Sequence, residues 1–110
     1  MPSRSILKIT TAHKRSPDWR PTHPGEFFGA IVLPALGRPK AEIARLLGVS
    51  RESLYRILDG RQPVTPSMAI RLGKLCGNGP ELWVRMQAEF DLWHACRETD
   101  VSNIPTLAEA

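Results

Sequence analysis

The stretch GVSRESLYRILDGRQPVT, Gly48 to Thr65, packs a glycine, a serine and then Arg51, Glu52, Ser53, Tyr55 and Arg56 into a few residues, with Leu54, Ile57 and Leu58 threaded between them. Spacings of three and four put the three apolar residues on one face of a helix and Glu52, Tyr55 and Arg56 on another. Ser50 is placed to cap that helix by accepting from an orphan N–H. Gly60, after Asp59, is placed to stop it near Leu58. A helix of this kind is held down by its apolar side and offers hydrogen-bonding groups on the other.

The residues before it explain what such a helix is for. Lys40 to Leu47 forms a preceding helix with Ile43, Ala44 and Leu47 inward, and Gly48 ends it in the left-handed conformation. Two short helices joined through a glycine, with a small residue (Ala44) where they touch and Val49, Leu54 and Ile57 pinning them to a core, have the proportions of a helix-turn-helix spanning about residues 40 to 59. In that geometry the second helix lies in the DNA major groove and its N-terminal residues meet base edges.

Outward from this centre the remaining elements are also helical. His23-Pro24-Gly25-Glu26 opens a first helix, with proline at its start and an acid in its first turn. That helix turns Phe27, Phe28 and Ile31 inward and breaks at Pro34 after Leu33. Thr65-Pro66 opens a fourth helix carrying Met68, Ala69, Leu72 and Leu75, ended by Gly77. Pro80-Glu81 opens a fifth, on which Leu82, Trp83, Met86, Phe90 and Trp93 recur at helical spacing. The expected fold class is all-α with five helices. The expected organisation is a basic, proline-containing arm over residues 1–22, with one ordered stretch near Ile6 to Ile9. A helix-turn-helix domain follows over 23–97, and a polar tail over 98–110.

Composition bounds the function. The chain of 110 residues has a formal charge of +4, distributed unevenly: +4 over residues 1–22, +2 over 23–64 and −2 over 65–110. A basic first half suits a polyanionic partner, although charge alone fits a solvated surface equally well. No apolar stretch is long enough to span a membrane and the N-terminus lacks an apolar core for a secretory signal, so a cytoplasmic location is the default. Cys76 and Cys96 are then expected as free thiols. No metal or cofactor is expected: His94 and Cys96 are two apart and do not share a helix face. His13, His23 and His94 are scattered, as befits structural or surface residues. No zinc-protease motif, paired carboxylates or glycine-rich phosphate loop appears, so no catalytic residue is expected and the protein is not read as an enzyme. Glu42 and Arg45 read as a surface pair.

The blocks HPGEFF (23–28), AEIARLLGVSRESLYRILDGRQPVTPSMAIRLGKL (41–75) and PELWVRMQAEFDLW (80–93) resemble the HigA-type antitoxins, also called virulence-associated protein I-like, within the Xre/Cro group of helix-turn-helix regulators. The match runs over about residues 23 to 95 without a gap. The resemblance implies a five-helix, lambda-repressor-like domain that pairs as a homodimer. It implies repression of its own operon through a palindromic double-stranded operator. It also implies neutralisation of a RelE/HigB-like, mRNA-cleaving toxin in a type II toxin–antitoxin system. A stand-alone Xre-family repressor without a toxin partner is the alternative.

On that reading the DNA-binding residues are Lys40, Ser50, Arg51, Glu52, Ser53, Tyr55, Arg56 and Arg61. Arg51 and Lys40 are phosphate candidates, joined by Arg61 and Gln62 from the loop after the recognition helix; such contacts fix register rather than sequence. Glu52 stands where the resembled family usually has Gln: it either accepts from a cytosine amino group or pairs with Arg56 one turn on. Trp83, Phe90 and Trp93 read as core or as dimer interface. The segment Asp91-Leu92-Trp93 lies near the interface in the family, which makes Phe90, Leu92 and Trp93 the interface candidates. Departures from the pattern are Pro39 in place of a hydroxyl cap, Arg38 in place of an apolar residue, Gly79 before Pro80, and the long arm. The arm is open to three readings: entry into the minor groove, wrapping of the toxin, or no role.

Overall fold

The computed structural model describes residues 19–108, so the expected stretch near Ile6 to Ile9, His13 and most of the arm lie outside the described residues. Five helical rods and no strand are found among the described residues. The first, α1, is one continuous rod built from Pro24–Phe27, a π-helical turn Phe28–Val32 and Leu33–Leu36. It is followed by α2 (Lys40–Leu47), α3 (Arg51–Leu58), α4 (Pro66–Cys76) and α5 (Glu81–Glu98). The expected all-α, five-helix class is the one observed.

Local chemistry accounts for most boundaries. Ser50 Oγ accepts from Ser53 N at 3.0 Å to open α3, and Thr65 Oγ1 accepts from Met68 N at 3.2 Å to open α4. α2 begins at Pro39, which offers no side-chain cap, and α5 begins at Pro80 with none either. In place of a cap, Arg38 pairs with Glu42 across the first turn of α2; Glu42 does not pair with Arg45.

Pro34 does not break α1. Proline lacks a donor and its ring crowds the carbonyl four residues back. The π turn just before it takes up the mismatch: Leu33 N–H bonds five residues back to Phe28 O, and the rod continues to Leu36, where Gly37 ends it at φ 67°. The extra residue in that turn advances the helix face by about 100°. This is why Ile31, expected inward, is 59% exposed, while Phe28 and Leu33 are buried and Phe27 half-buried.

One core runs through all five rods: Phe28 and Leu33 of α1, Ile43, Ala44 and Leu47 of α2, Leu54 and Ile57 of α3, Met68, Ala69 and Leu72 of α4, and Trp83 of α5, joined by Val64. The Trp83 ring meets Phe28 edge-on at 5.9 Å and Phe27 at 6.0 Å. α1 lies so close to α3 that a methyl at Gly25 would fall 1.8 Å from the Ile57 carbonyl oxygen, so only glycine permits this packing.

His23, the residue before α1, is 2% exposed and caps the rod: its Nδ1 accepts from Gly25 N at 2.9 Å and its ring meets Phe90 edge-on at 4.9 Å. Burial pushes its pKa below the ordinary 6.5, against the opposing pull of Glu26 and Asp91. The unfolded chain therefore binds the proton first as pH falls. The stability carried by neutral His23 is fully present above 6.5 and is lost as pH drops from there towards the lower folded value. Thermal melts on either side of that value should show this loss, and His23→Asn, which retains a capping side chain without titrating, should flatten it. Equal pH dependence in both proteins would contradict the assignment.

Candidate nucleic-acid interface

The turn between α2 and α3 is built by the backbone. Gly48 sits at φ 76°; its N–H donates to Arg45 O at 3.1 Å, and Val49 N–H donates to Ala44 O at 3.0 Å, which closes α2 in a Schellman motif. Arg71 of α4 reaches across the fold and donates from Nη1 to Leu47 O at 2.7 Å and, more weakly, to Gly48 O at 3.4 Å. A cation at a helix C-terminus also meets the negative end of its dipole. The turn is thus clamped from inside the domain as well as along the chain.

With α2 closed in this way, α3 presents two different faces. Leu54 and Ile57 are buried, Leu58 and Ser53 are half-buried, and Arg51, Glu52, Tyr55 and Arg56 are exposed. Lys40, at the start of α2, is brought beside this face, its ammonium 5.6 Å from the Tyr55 ring centre. Ser50 uses its hydroxyl oxygen in the α3 cap. Arg61 is exposed on the following loop and pairs with Asp59 at 3.1 Å. Arg51, Glu52, Tyr55 and Arg56 thus lie on the exposed side of α3 with Lys40 beside Tyr55, while Ser50 and Arg61 flank the helix along the chain.

Arg56 is not paired with Glu52 in this structure. Arg56 Nε instead donates to Gln62 Oε1 at 3.1 Å, and Gln62 Nε2 donates to Ser53 Oγ at 2.9 Å. Among the described residues the ion pairs are Arg38–Glu42 and Arg61–Asp59. Glu52 is exposed and takes part in neither of these pairs.

The interface candidates on α5 do not share one environment. Phe90 is half-buried between His23 and His94, the latter at 4.4 Å. Trp93 is half-buried under the guanidinium of Arg97, 3.4 Å from its ring centre, with Arg20 at 5.9 Å on the same ring. Leu92 is 64% exposed. Residues 19–22, assigned to the arm, lie against this helix: Pro21 is buried, and Trp19 lines a depression with Leu92, Trp93 and Arg97.

Two contributors were not singled out from sequence. Arg71 left no local signal, because its partners lie more than twenty positions earlier. Gln87 did leave one: it is a polar residue at an inward position of α5, buried, with Oε1 accepting from Val64 N at 2.8 Å. Cys76 and Cys96 are free thiols, and burial raises the Cys76 pKa. No cluster of metal-ligating side chains and no helix long and apolar enough to cross a membrane occurs among the described residues.

A family model described as a helix-turn-helix domain matches residues 28–83. YbaQ of Escherichia coli K12, described as an uncharacterized helix-turn-helix-type transcriptional regulator, is 31% identical over 94 residues, covering 82% of this chain and 83% of its own. Antitoxin HigA-1 of Vibrio cholerae serotype O1 is 32% identical over 74 residues, covering 67% of this chain and 69% of its own. A solved structure of antitoxin GraA in complex with its operator is 31% identical, covers 88% of this chain and all of that one, and superposes with a TM-score of 0.71. With the helix-turn-helix standing in the fold and these likenesses extending through α1 and α5 beyond it, the chain belongs to the helix-turn-helix family and, within it, to the HigA-type antitoxins.

Proposed function

We propose that the protein is a sequence-specific DNA-binding antitoxin of a type II toxin–antitoxin system. It represses its own operon and neutralises a RelE/HigB-like toxin that cleaves mRNA. The observation that carries this reading is α3: a capped helix anchored by Leu54 and Ile57, clamped at its turn by Arg71, with Arg51, Glu52, Tyr55 and Arg56 facing outward. Membership of the HigA-type group and the likeness to GraA, solved with its operator, support it. The protein acts in the cytoplasm, by binding rather than by catalysis.

Each contact follows from chemistry. Arg56 and Tyr55 read base edges. The exposed Glu52 accepts from a cytosine amino group. Lys40, Arg51 and Arg61 meet phosphates, and the Ser50 and Ser53 hydroxyls donate to backbone or base. The protein pairs as a homodimer through α5, where Leu92 is the exposed apolar residue beside Phe90 and Trp93. Sedimentation that finds only monomer on the operator would exclude that pairing.

Two experiments test the whole reading. A mobility shift with the DNA upstream of its own operon should give a complex that unrelated DNA does not compete away. Co-expression with the small gene adjacent to its own should relieve growth arrest caused by that gene's product. Specific binding without any toxin to relieve would favour the alternative, a stand-alone repressor, to which the likeness to the regulator YbaQ also points. Absence of both effects would refute the proposal.

Lys40→Ala should lower affinity for operator and unrelated DNA alike and reduce the salt slope by about one, because a phosphate contact releases counterions without reading sequence. A loss confined to the operator would contradict the phosphate role.

A further inference from the structure

We propose that Gln62 is a positioning residue that aims Arg56 at a guanine in the major groove, so that part of the operator specificity is set from the loop after α3. The inference rests on the DNA-binding reading above and adds a guanine contact and its orienting residue.

The argument starts from what Arg56 can do. A guanidinium carries five N–H donors and no acceptor, and an end-on approach through its two terminal nitrogens matches O6 and N7 of guanine. The side chain is long, and an exposed arginine loses much rotamer freedom when it docks. Here one donor is already used: Nε bonds to Gln62 Oε1 at 3.1 Å. That bond orients the guanidinium plane and leaves both terminal nitrogens outside it.

Gln62 is itself fixed. Because arginine can only donate, Arg56 dictates that the amide oxygen faces it, and the amide nitrogen then donates to Ser53 Oγ at 2.9 Å. Its backbone is tied down on both sides. Arg61 N and Gln62 N both donate to Arg56 O, at 2.9 and 3.2 Å. Two residues on, the buried Val64 N–H is held by Gln87, whose Nε2 donates in turn to Asp91 at 3.0 Å. A glutamine bound at both ends of its amide, on a loop held on both flanks, makes Arg56 a pre-aimed reader rather than a free one. The hydroxyl oxygen of Ser53 is thereby engaged in support of Arg56.

The test is a double-mutant cycle of Q62A, R56A and the double variant on the tightest duplex that the wild-type protein selects from a random pool. The same duplex is also used with 7-deazaguanine, which lacks the N7 acceptor. Q62A should lower affinity about tenfold in the wild-type background and less than about twofold in the R56A background. Both of its amide groups being engaged within the protein, Gln62 is here read as orienting Arg56 and not as meeting a phosphate. The affinity of Q62A for unrelated DNA, which a lost phosphate contact would lower, should therefore stay the same, as should its melting temperature, and its sensitivity to 7-deazaguanine should fall. Equal losses in both backgrounds, or no loss at all, would overturn the proposal. In the free protein the Arg56 Nε–H should give an NMR resonance that exchanges slowly and loses that protection in Q62A; an unaltered resonance would show that the clamp does not form. If the resonance behaves as expected but the wild type selects no duplex, the DNA-binding reading fails and the Gln62–Arg56 bond stands without a base to aim at.

Discussion

Arg56→Ala should weaken specific operator binding by about 1–3 kcal/mol, the range of one good bidentate contact to a base pair, and relax the preference at a single position of each half-site. The expectation combines three observations: Arg56 is exposed on the polar face of α3, it is not paired with Glu52, and its bond to Gln62 is made through Nε and not through the terminal nitrogens. That range holds for each half-site, so a dimer that reads both halves of a palindrome loses it twice. Titration of the operator and of variants altered at each position, at one salt concentration, measures it. Unchanged operator affinity would remove α3 from the reading face. A loss equal on every sequence would turn Arg56 into a phosphate contact.

Trp83→Ala should cost about 3–5 kcal/mol of stability, as large aromatic truncations in a closed core do. Trp83 is fully buried, packs on Phe27 and Phe28 of α1, and donates from Nε1 to Asn78 Oδ1 at 3.2 Å. It is the only α5 residue in the buried apolar core, so it holds α5 against α1. A loss of that size takes a large share of an ordinary domain's stability and should lower Tm by tens of degrees. Denaturant melts of the two proteins decide it. A cost below about 1 kcal/mol would mean that α5 is held elsewhere. A protein that still folds at low temperature should keep the same order of preference among operator variants, because Trp83 is buried in the core and is not on the exposed face of α3.

The mixed fate of the α5 aromatics illustrates where sequence reasoning stops. Trp83, Phe90 and Trp93 share one helical stripe, and periodicity alone assigned them together. The fold separates them. Trp83 enters the core, Phe90 is shared between His23 and His94, and Trp93 is covered by arginines. Periodicity reports a direction around one helix, not what lies in that direction.

The elements themselves were legible because their causes are local. The bounds of α2, α3 and α4 follow from Gly48, Ser50, Thr65-Pro66 and Gly77, each acting within a turn of its own position. The amphipathic face of α3 follows from spacing alone. The π turn in α1 was not legible: a proline rule that reads only the chain predicts a break, whereas packing of Phe28 and Leu33 in the core favours continuing the rod with one extra residue per turn.

The sequence by itself therefore determined the all-α class, the helix-turn-helix, its capped boundaries and the residues on the outward face. All of these depend on interactions spanning at most a few positions. Only the tertiary structure decided which of those residues are free to act. It bonds Arg56 to Gln62 rather than to Glu52, places Arg71 on the carbonyls that end α2, and secures the loop after α3 through Gln87. These contacts join groups from different turns or different helices. Their geometry depends on how the rods pack, and neighbour spacing carries no information about that.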